Sequence, residues 1–374
     1  MANVELRPGH KDLEELGFFE KYWVSIQPFL LSRGYELRSR YHPGWTPSWL
    51  QPGGKRIFSC DDSLPTVSQG SKMIDATRTN DGAKVVIRQV PTKTDELPIL
   101  LLLSSPSLQA DPRNCTVPIL DIIILPGNDD TALIVMPMLR DFGNLTFRRV
   151  GEVVEMFEQV VHFLAFLHEQ NISHMDFCWF NIMMDGSRVV PKGWHMANQF
   201  SHDGISIGEF EWVDRWSVRP VKYYVIDFEL SQRMISKDNP RLFVGSWGQD
   251  RSVPEMSFTT PSDPFKVDVY QLGNVIKKLM TVSVLREPRF GVSLTRSKNY
   301  IGLDILKPLV DAMTNPDPLE RLTAEESSKQ FSIFRKKCSK RVMKGRIWRN
   351  EAPIPPLSSV ERFFVKYLGY NPTN

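Results

Sequence analysis

Apolar and polar positions along the chain change rhythm more than once. From about Thr66 the pattern is strand-like. Lys72 to Arg78 and Lys84 to Val90 flank Asn80-Asp81-Gly82, and two such runs around a Gly-bearing turn predict a β-hairpin. Thr94 to Leu103 has a helical period despite Pro98. Two apolar strands are expected next, Val117 to Leu125 and Ala132 to Met138, joined by a turn at Pro126 to Asp130. The first half thus predicts a small sheet with one helix.

The rhythm then lengthens. Val153, Met156, Phe157, Val160, Val161, Leu164 and Leu167 recur at i, i+3, i+4 spacing, which predicts a core-facing helix over Glu152 to Glu169. Short strands are expected at Asn181 to Met184 and Lys222 to Ile226, and beyond Pro254 the pattern is mostly helical. Gly186 to Val221 has no period and reads as an insertion. Residues up to about Ser63 read as an extension, with a charged helical stretch at Leu13 to Leu31 and then HPGWTPSWLQPGG, rich in turn formers. Trp45 and Trp49 are expected to pack on the domain body. No internal repeat is visible.

Composition narrows the class. The 374 residues are 41% hydrophobic and 24% charged, enough apolar material for one large core or two coupled ones. A net charge of +3 gives no ground for a nucleic-acid or membrane partner, and neither is expected. Cys60, Cys115, Cys178 and Cys338 are scattered without metal-ligand spacing and read as free thiols of a reducing compartment. The opening MANVELRPGHKDLEE has no apolar stretch of the signal-peptide kind, and Ile99 to Leu103 and Ile122 to Leu125 are far short of a bilayer span. A soluble protein of the cytoplasm or nucleus is the expectation.

The stretch most informative about chemistry is His174-Met175-Asp176-Phe177-Cys178-Trp179-Phe180-Asn181. An Asp five residues before an Asn, at the exit of a buried helix, can aim both side chains at one place. Asp176 would accept a hydroxyl proton while the Asn181 amide oxygen binds a metal. A second carboxylate, needed to hold Mg²⁺ against phosphates, ends a strand in Val225-Ile226-Asp227-Phe228-Glu229. Phosphoryl transfer is mostly positioning and charge neutralisation, so these three groups form a minimal set.

In these residues the chain resembles the eukaryotic protein-kinase family, whose catalytic loop runs H-R-D-L-x-x-x-N and whose metal loop is D-F-G. Val253-Pro254-Glu255 is similar to its A-P-E, Asp268-Val269-Tyr270-Gln271-Leu272-Gly273 to its D-x-W-x-x-G helix, and Asn315 to Thr323 to its closing D-P-x-x-R-x-T segment. The HMD…FNIMMD phrasing, the insertion and Asp111-Pro112-Arg113-Asn114-Cys115 to Pro118 resemble the expanded fungal protein kinases. The resemblance covers about Lys72 to Phe334. It implies an α+β, two-lobed fold with ATP and Mg²⁺ in a cleft. Residues 1–65 would be an extension, 66–139 a β-rich lobe, 140–345 a mainly helical lobe with the 186–221 insertion, and 346–374 a tail. It also implies a buried Glu255–Arg321 ion pair, and Asp268 bound to the catalytic-loop backbone. Val85-Val86-Ile87-Arg88 resembles V-A-I-K, so Arg88 would grip phosphate, oriented by Glu96. Met136 would line the adenine pocket, with the Pro137 carbonyl and Leu139 N–H facing adenine. Asp141-Phe142-Gly143 spells the metal motif but lies ahead of the catalytic loop and carries no role.

Several family positions differ. No G-x-G-x-x-G precedes Arg88, and the hairpin around Gly70 has a single glycine. Arg88 replaces Lys, Cys178 the catalytic-loop Lys, Glu229 the metal-loop Gly, and Met175 the Arg that reads a phosphorylated loop. Three readings follow. The first is an ATP-dependent kinase acting on protein Ser or Thr. The second is a pseudokinase that engages protein partners. The third, more distant, is a small-molecule kinase of the aminoglycoside or choline type, some of which carry I-D-F-E where this chain has Ile226 to Glu229. Ser231, Ser236 and Ser246 are expected as exposed loop serines, and His174 as a packing residue beneath Phe228. The basic run Arg335 to Arg346 reads as a solvated helix end, against a nuclear-import signal or an acidic-partner site.

Overall fold

The computed structural model describes residues 11–65, 72–206, 208, 210–236, 241–280 and 300–349. The chain is mixed α and β and forms two compact units. One comprises Met1–Leu97, Val117–Arg140 and Val190–Trp212; the other comprises Pro98–Thr116, Asp141–Val189 and Val213–Asn374.

The first unit is built on an antiparallel five-stranded sheet. In chain order its strands are β1 (Tyr35–Leu37), β2 (Met73–Arg78), β3 (Lys84–Pro91), β4 (Asp121–Leu125) and β5 (Asn128–Pro137), and their spatial order is β1-β2-β3-β5-β4. The hairpin expected around Asn80 closes with Gly82 at φ +71°, where a side chain would be strained. Alternation divides the sheet into two faces. Ile74, Ala76, Val85, Ile87, Ile123, Leu125, Leu133 and Val135 face a core shared with Trp23 and Leu30 of the helix Phe18–Ser32. The opposite face takes the intervening positions. Cross-strand register there pairs Arg88 with Ile134 and Val86 with Met136, so Arg88 and Met136 share one surface.

The segment read as an extension contributes β1 at the sheet edge, and polar anchors tie it down. The Arg40 guanidinium, 1% exposed, donates to both Glu20 carboxylate oxygens and to the carbonyls of Leu13, Glu15 and Asp62. A buried guanidinium is tolerable when its donors are matched in this way. Asp62 in turn accepts from Trp45 Nε1 at 3.0 Å and from Ser48, so Trp45 is fastened inside its own unit. The insertion is divided. Residues 190–212 join this unit, where His195 Nε2 meets Asp61 at 2.8 Å and the Arg140 guanidinium lies over the Phe210 ring at 4.8 Å. Aromatic and ionic contacts of this sort leave no periodic trace in sequence. The single-glycine hairpin at Gly70 lies outside the described residues.

In the second unit the expected helix runs Val150–Glu169, with Val153, Phe157, Val160, Val161, Leu164 and Leu167 fully buried. Phe157 packs edge-on against Phe331 of the helix Ala324–Lys337. A hairpin of Ile182–Met184 and Tyr223–Val225 follows, and the helix Pro264–Met280 packs beside the central one. Arg321 forms a bidentate pair with Glu255, and it also donates to the Asn315 and Lys266 carbonyls. Among the described residues no helix is long and apolar enough to cross a membrane.

Candidate active site

The loop after the central helix carries unusual backbone. Among the described residues only Asn171, Met175 and Asp227 are non-glycines with positive φ, at 59°, 66° and 66°. The conformation costs an L-residue about 1–2 kcal/mol, so something must hold Met175 there. Asp268 does. Its Oδ1 accepts the Met175 N–H and its Oδ2 the His174 N–H, each at 2.7 Å, with His168 Nε2 at 3.0 Å. A wholly buried carboxylate meeting three donors is a strong clamp. One helical turn on, Gln271 Oε1 accepts the Phe177 N–H at 2.9 Å. Both ends of the turn are thus gripped from one face of the helix Pro264–Met280.

That grip presents Asp176 and Asn181 to each other. Asn181 Nδ2 donates to the Asp176 carbonyl at 2.9 Å and to its Oδ2 at 3.0 Å, so the amide nitrogen is engaged with Asp176 and the amide oxygen takes no part in these two bonds. The Gln249 N–H donates to Asp176 Oδ1 at 2.7 Å. Gly248, at φ +82°, lies so close that a Cβ there would sit 2.7 Å from the same oxygen. Asp176 is 5% exposed, and each carboxylate oxygen already accepts one hydrogen bond. An ionised carboxylate has about four lone-pair sites, so acceptor capacity remains.

The segment carrying Asp227 is stitched to this loop. Ile226 N–H donates to Asn181 O at 3.0 Å, and His174 Nε2 meets Ile226 O at 3.1 Å. The His174 ring packs on Phe228 with centroids 4.9 Å apart, while the Ser231 hydroxyl donates to His174 O at 3.1 Å. Ser231 is therefore buried, and the expectation of an exposed loop serine is corrected there. Asp227 is half-buried and Glu229 exposed. Asp176 and Asn181 are in direct contact, and Asp227 follows the residue whose amide is bonded to Asn181.

Cys178 brings no cation. Its thiol is 2% exposed and its pKa is pushed up to about 12, by burial first and then by the negative charge of Asp176. Among the described residues no three His, Cys, Asp or Glu side chains are grouped to hold a metal ion. The donor set of Asp227 and Asn181 still fits Mg²⁺, which takes one or two carboxylates and completes its octahedron with water and phosphate oxygens.

In the sheet-bearing unit Arg88 and Glu96 form a buried ion pair. Met136 and Pro137 end β5, where Met136 is buried and Pro137 stands opposite Val85 in register. Leu139 is buried, and the Met138 N–H bonds Lys84 O at 3.2 Å, which extends the ladder one residue.

Three features lie outside the expectations from sequence. Phe142 and Gly143 pack against Trp179. Phe142 lies 4.3 Å from the Trp179 ring, and a Cβ at Gly143 would fall 2.1 Å from the indole, so the triplet is the seat of Trp179. Gln271 was legible as the residue one turn beyond Asp268. Nothing local marked Gly248 and Gln249 as neighbours of Asp176. No protein-family model and no curated protein matches the chain.

Proposed function

We propose that the protein is a protein-kinase-like, two-lobed phosphotransferase that moves the γ-phosphoryl group of ATP to a protein Ser or Thr hydroxyl, at a low rate. The observation that carries this reading is the strained turn at Met175, clamped by Asp268, which holds Asp176 against Asn181 beside the segment of Asp227. Strained backbone persists where surrounding structure over-determines it, and it concentrates at functional sites.

The roles follow from donor and acceptor chemistry. Asp176 orients the substrate hydroxyl and takes its proton on a remaining lone pair. Asp227 and the Asn181 amide oxygen would hold Mg²⁺, which when bound would supply positive charge against the phosphate oxygens. Arg88, oriented by Glu96, contacts phosphate. Met136, Pro137 and Leu139 serve the adenine. The buried neutral thiol at Cys178 leaves the transferring group without one cation, a loss of about a hundred- to a thousand-fold. Turnover is accordingly expected about that far below the ~1–100 s⁻¹ of typical kinases. The Glu255–Arg321 pair, outside the acid–amide set, favours the protein-directed reading over a small-molecule kinase.

A second reading rests on one observation: both Asp176 oxygens are already hydrogen-bonded, by Gln249 N–H and by Asn181. On it the protein is a pseudokinase that binds partners. Thermal melting with and without Mg²⁺-ATP, then radiolabel transfer to a generic protein substrate, separates the two. Transfer abolished by both Asp176→Ala and Asp227→Ala supports the enzyme. A nucleotide-dependent melting shift without transfer supports the scaffold. Neither shift nor transfer would sink the nucleotide-dependent reading.

A further inference from the structure

We infer that the end of the helix Ala324–Lys337, the short helix Lys340–Lys344 and the Arg148–Arg149 segment form a surface that binds the phosphate backbone of double-stranded nucleic acid. From Ser327 to Asn350 the sequence has nine Lys or Arg and no Asp or Glu. The chain's net charge of +3 conceals this, because charges elsewhere cancel. The surface therefore runs against the expectation drawn from net charge, and it does not depend on the phosphotransferase reading.

The basic run is anchored. Val150 N–H donates to Gly345 O at 2.9 Å, Ile347 N–H to Arg148 O at 3.0 Å, and the Arg149 guanidinium to Lys344 O at 2.9 Å. Met343 is buried, and the Ser339 hydroxyl caps the second helix by accepting the Val342 N–H. Two residues remote in sequence, Arg148 and Arg149, are thereby laid beside Lys344 and Arg346. A fixed array loses less entropy on binding than a flexible tail. Lys336, Lys337, Lys340, Arg341 and Lys344 are exposed, and among the described residues none of these five pairs with a carboxylate. The nearby acids are already engaged. Glu158 meets Arg335 at 3.5 Å, Asp214 meets Arg148 at 2.8 Å, and buried Glu152 accepts the Arg148 and Trp216 amides.

Chemistry selects the partner. Four of the five uncommitted cations are lysines, point charges suited to a repeating phosphate rather than to the bidentate capture of one carboxylate. Membrane insertion needs an apolar face beside the charges, and here Phe331 and Met343 face inward, leaving only Ile333 and Val342 exposed. A duplex backbone, read without sequence preference, needs only the charges.

The test uses the full chain and a labelled 20-base-pair duplex of arbitrary sequence, followed by fluorescence anisotropy between 50 and 200 mM salt. About five phosphate contacts give a slope near −4.5 in log affinity against log salt. The variant Lys336→Gln/Lys337→Gln/Lys340→Gln/Arg341→Gln should lower that slope magnitude by about 3.6 and weaken binding more than tenfold at 100 mM salt. Lys93→Gln/Lys192→Gln should change neither. If the quadruple variant does not fold, Lys336→Gln/Lys337→Gln and Lys340→Gln/Arg341→Gln are measured separately, and each should lower the slope by about 1.8. The inference is overturned if the duplex does not bind at 50 mM salt, if the substitutions leave binding unchanged, or if phosphatidylserine vesicles bind more tightly than duplex at equal phosphate.

Discussion

Replacing Asp268 with Asn removes one charge and changes almost no volume, so it isolates what the carboxylate does for the strained turn. Three donors converge on it, the His174 and Met175 amides at 2.7 Å and His168 Nε2 at 3.0 Å. Hydrogen bonds to a charged acceptor contribute about 1.5–3 kcal/mol each. Asparagine keeps one carbonyl oxygen, so it serves the donors on one side and turns its own NH₂ toward those on the other. At least one charge-assisted bond is lost and one buried amide is left unmatched, a further ~1–3 kcal/mol. The left-handed Met175 then has less to hold it. Because these losses overlap, the expected cost is about 3–5 kcal/mol, the range for breaking a buried charged contact. Urea unfolding of wild type and Asp268→Asn measures the total, and hydrogen exchange at residues 174 and 175 reports the turn itself. A midpoint shift worth under about 0.5 kcal/mol, with unchanged exchange at both amides, would refute the clamp.

Other outcomes follow from the same packing. Gly143→Ala drives a methyl into the Trp179 indole and should cost at least about 2–3 kcal/mol; Gly143→Ala/Trp179→Phe should recover part of it in thermal melting, and no recovery would remove the steric explanation. Glu255→Gln leaves the Arg321 guanidinium, 1% exposed, without its counter-charge, so a loss of about 3–5 kcal/mol is expected by denaturant titration. Burial pushes the Cys115 and Cys178 thiols up to about 12, from a model-peptide range near 9. These groups hold their protons longer folded than unfolded, so their stabilisation is complete below about pH 9 and is lost as pH rises toward 12. The slope is about 1.4 kcal/mol per pH unit for each thiol. Urea midpoints at pH 8 and 10.5 should show it, and Cys115→Ala/Cys178→Ala should flatten the difference; a variant as pH-sensitive as wild type would count against this account.

Short-range patterns determined much of this protein. Period-2 runs around Asn80-Asp81-Gly82 made the β2–β3 hairpin, and the i, i+3, i+4 stripe made the helix Val150–Glu169, because a side chain's face depends on backbone repeat alone. The residue types and order of Asp176, Asn181, Asp227, Arg88, Glu96, Glu255 and Arg321 were likewise legible, since each pairing needs an acid and a base or amide of particular chemistry. Folding alone decided the rest. Whether a carboxylate is capped by Gln249, whether Asp141-Phe142-Gly143 meets metal or seats Trp179, and whether Arg149 lies along Lys344 all depend on contacts between residues tens to hundreds of positions apart. The extension's place at the sheet edge and the division of the insertion are of the same kind. Such contacts are selected by shape, burial and hydrogen-bond matching in the assembled core, none of which has a period along the chain.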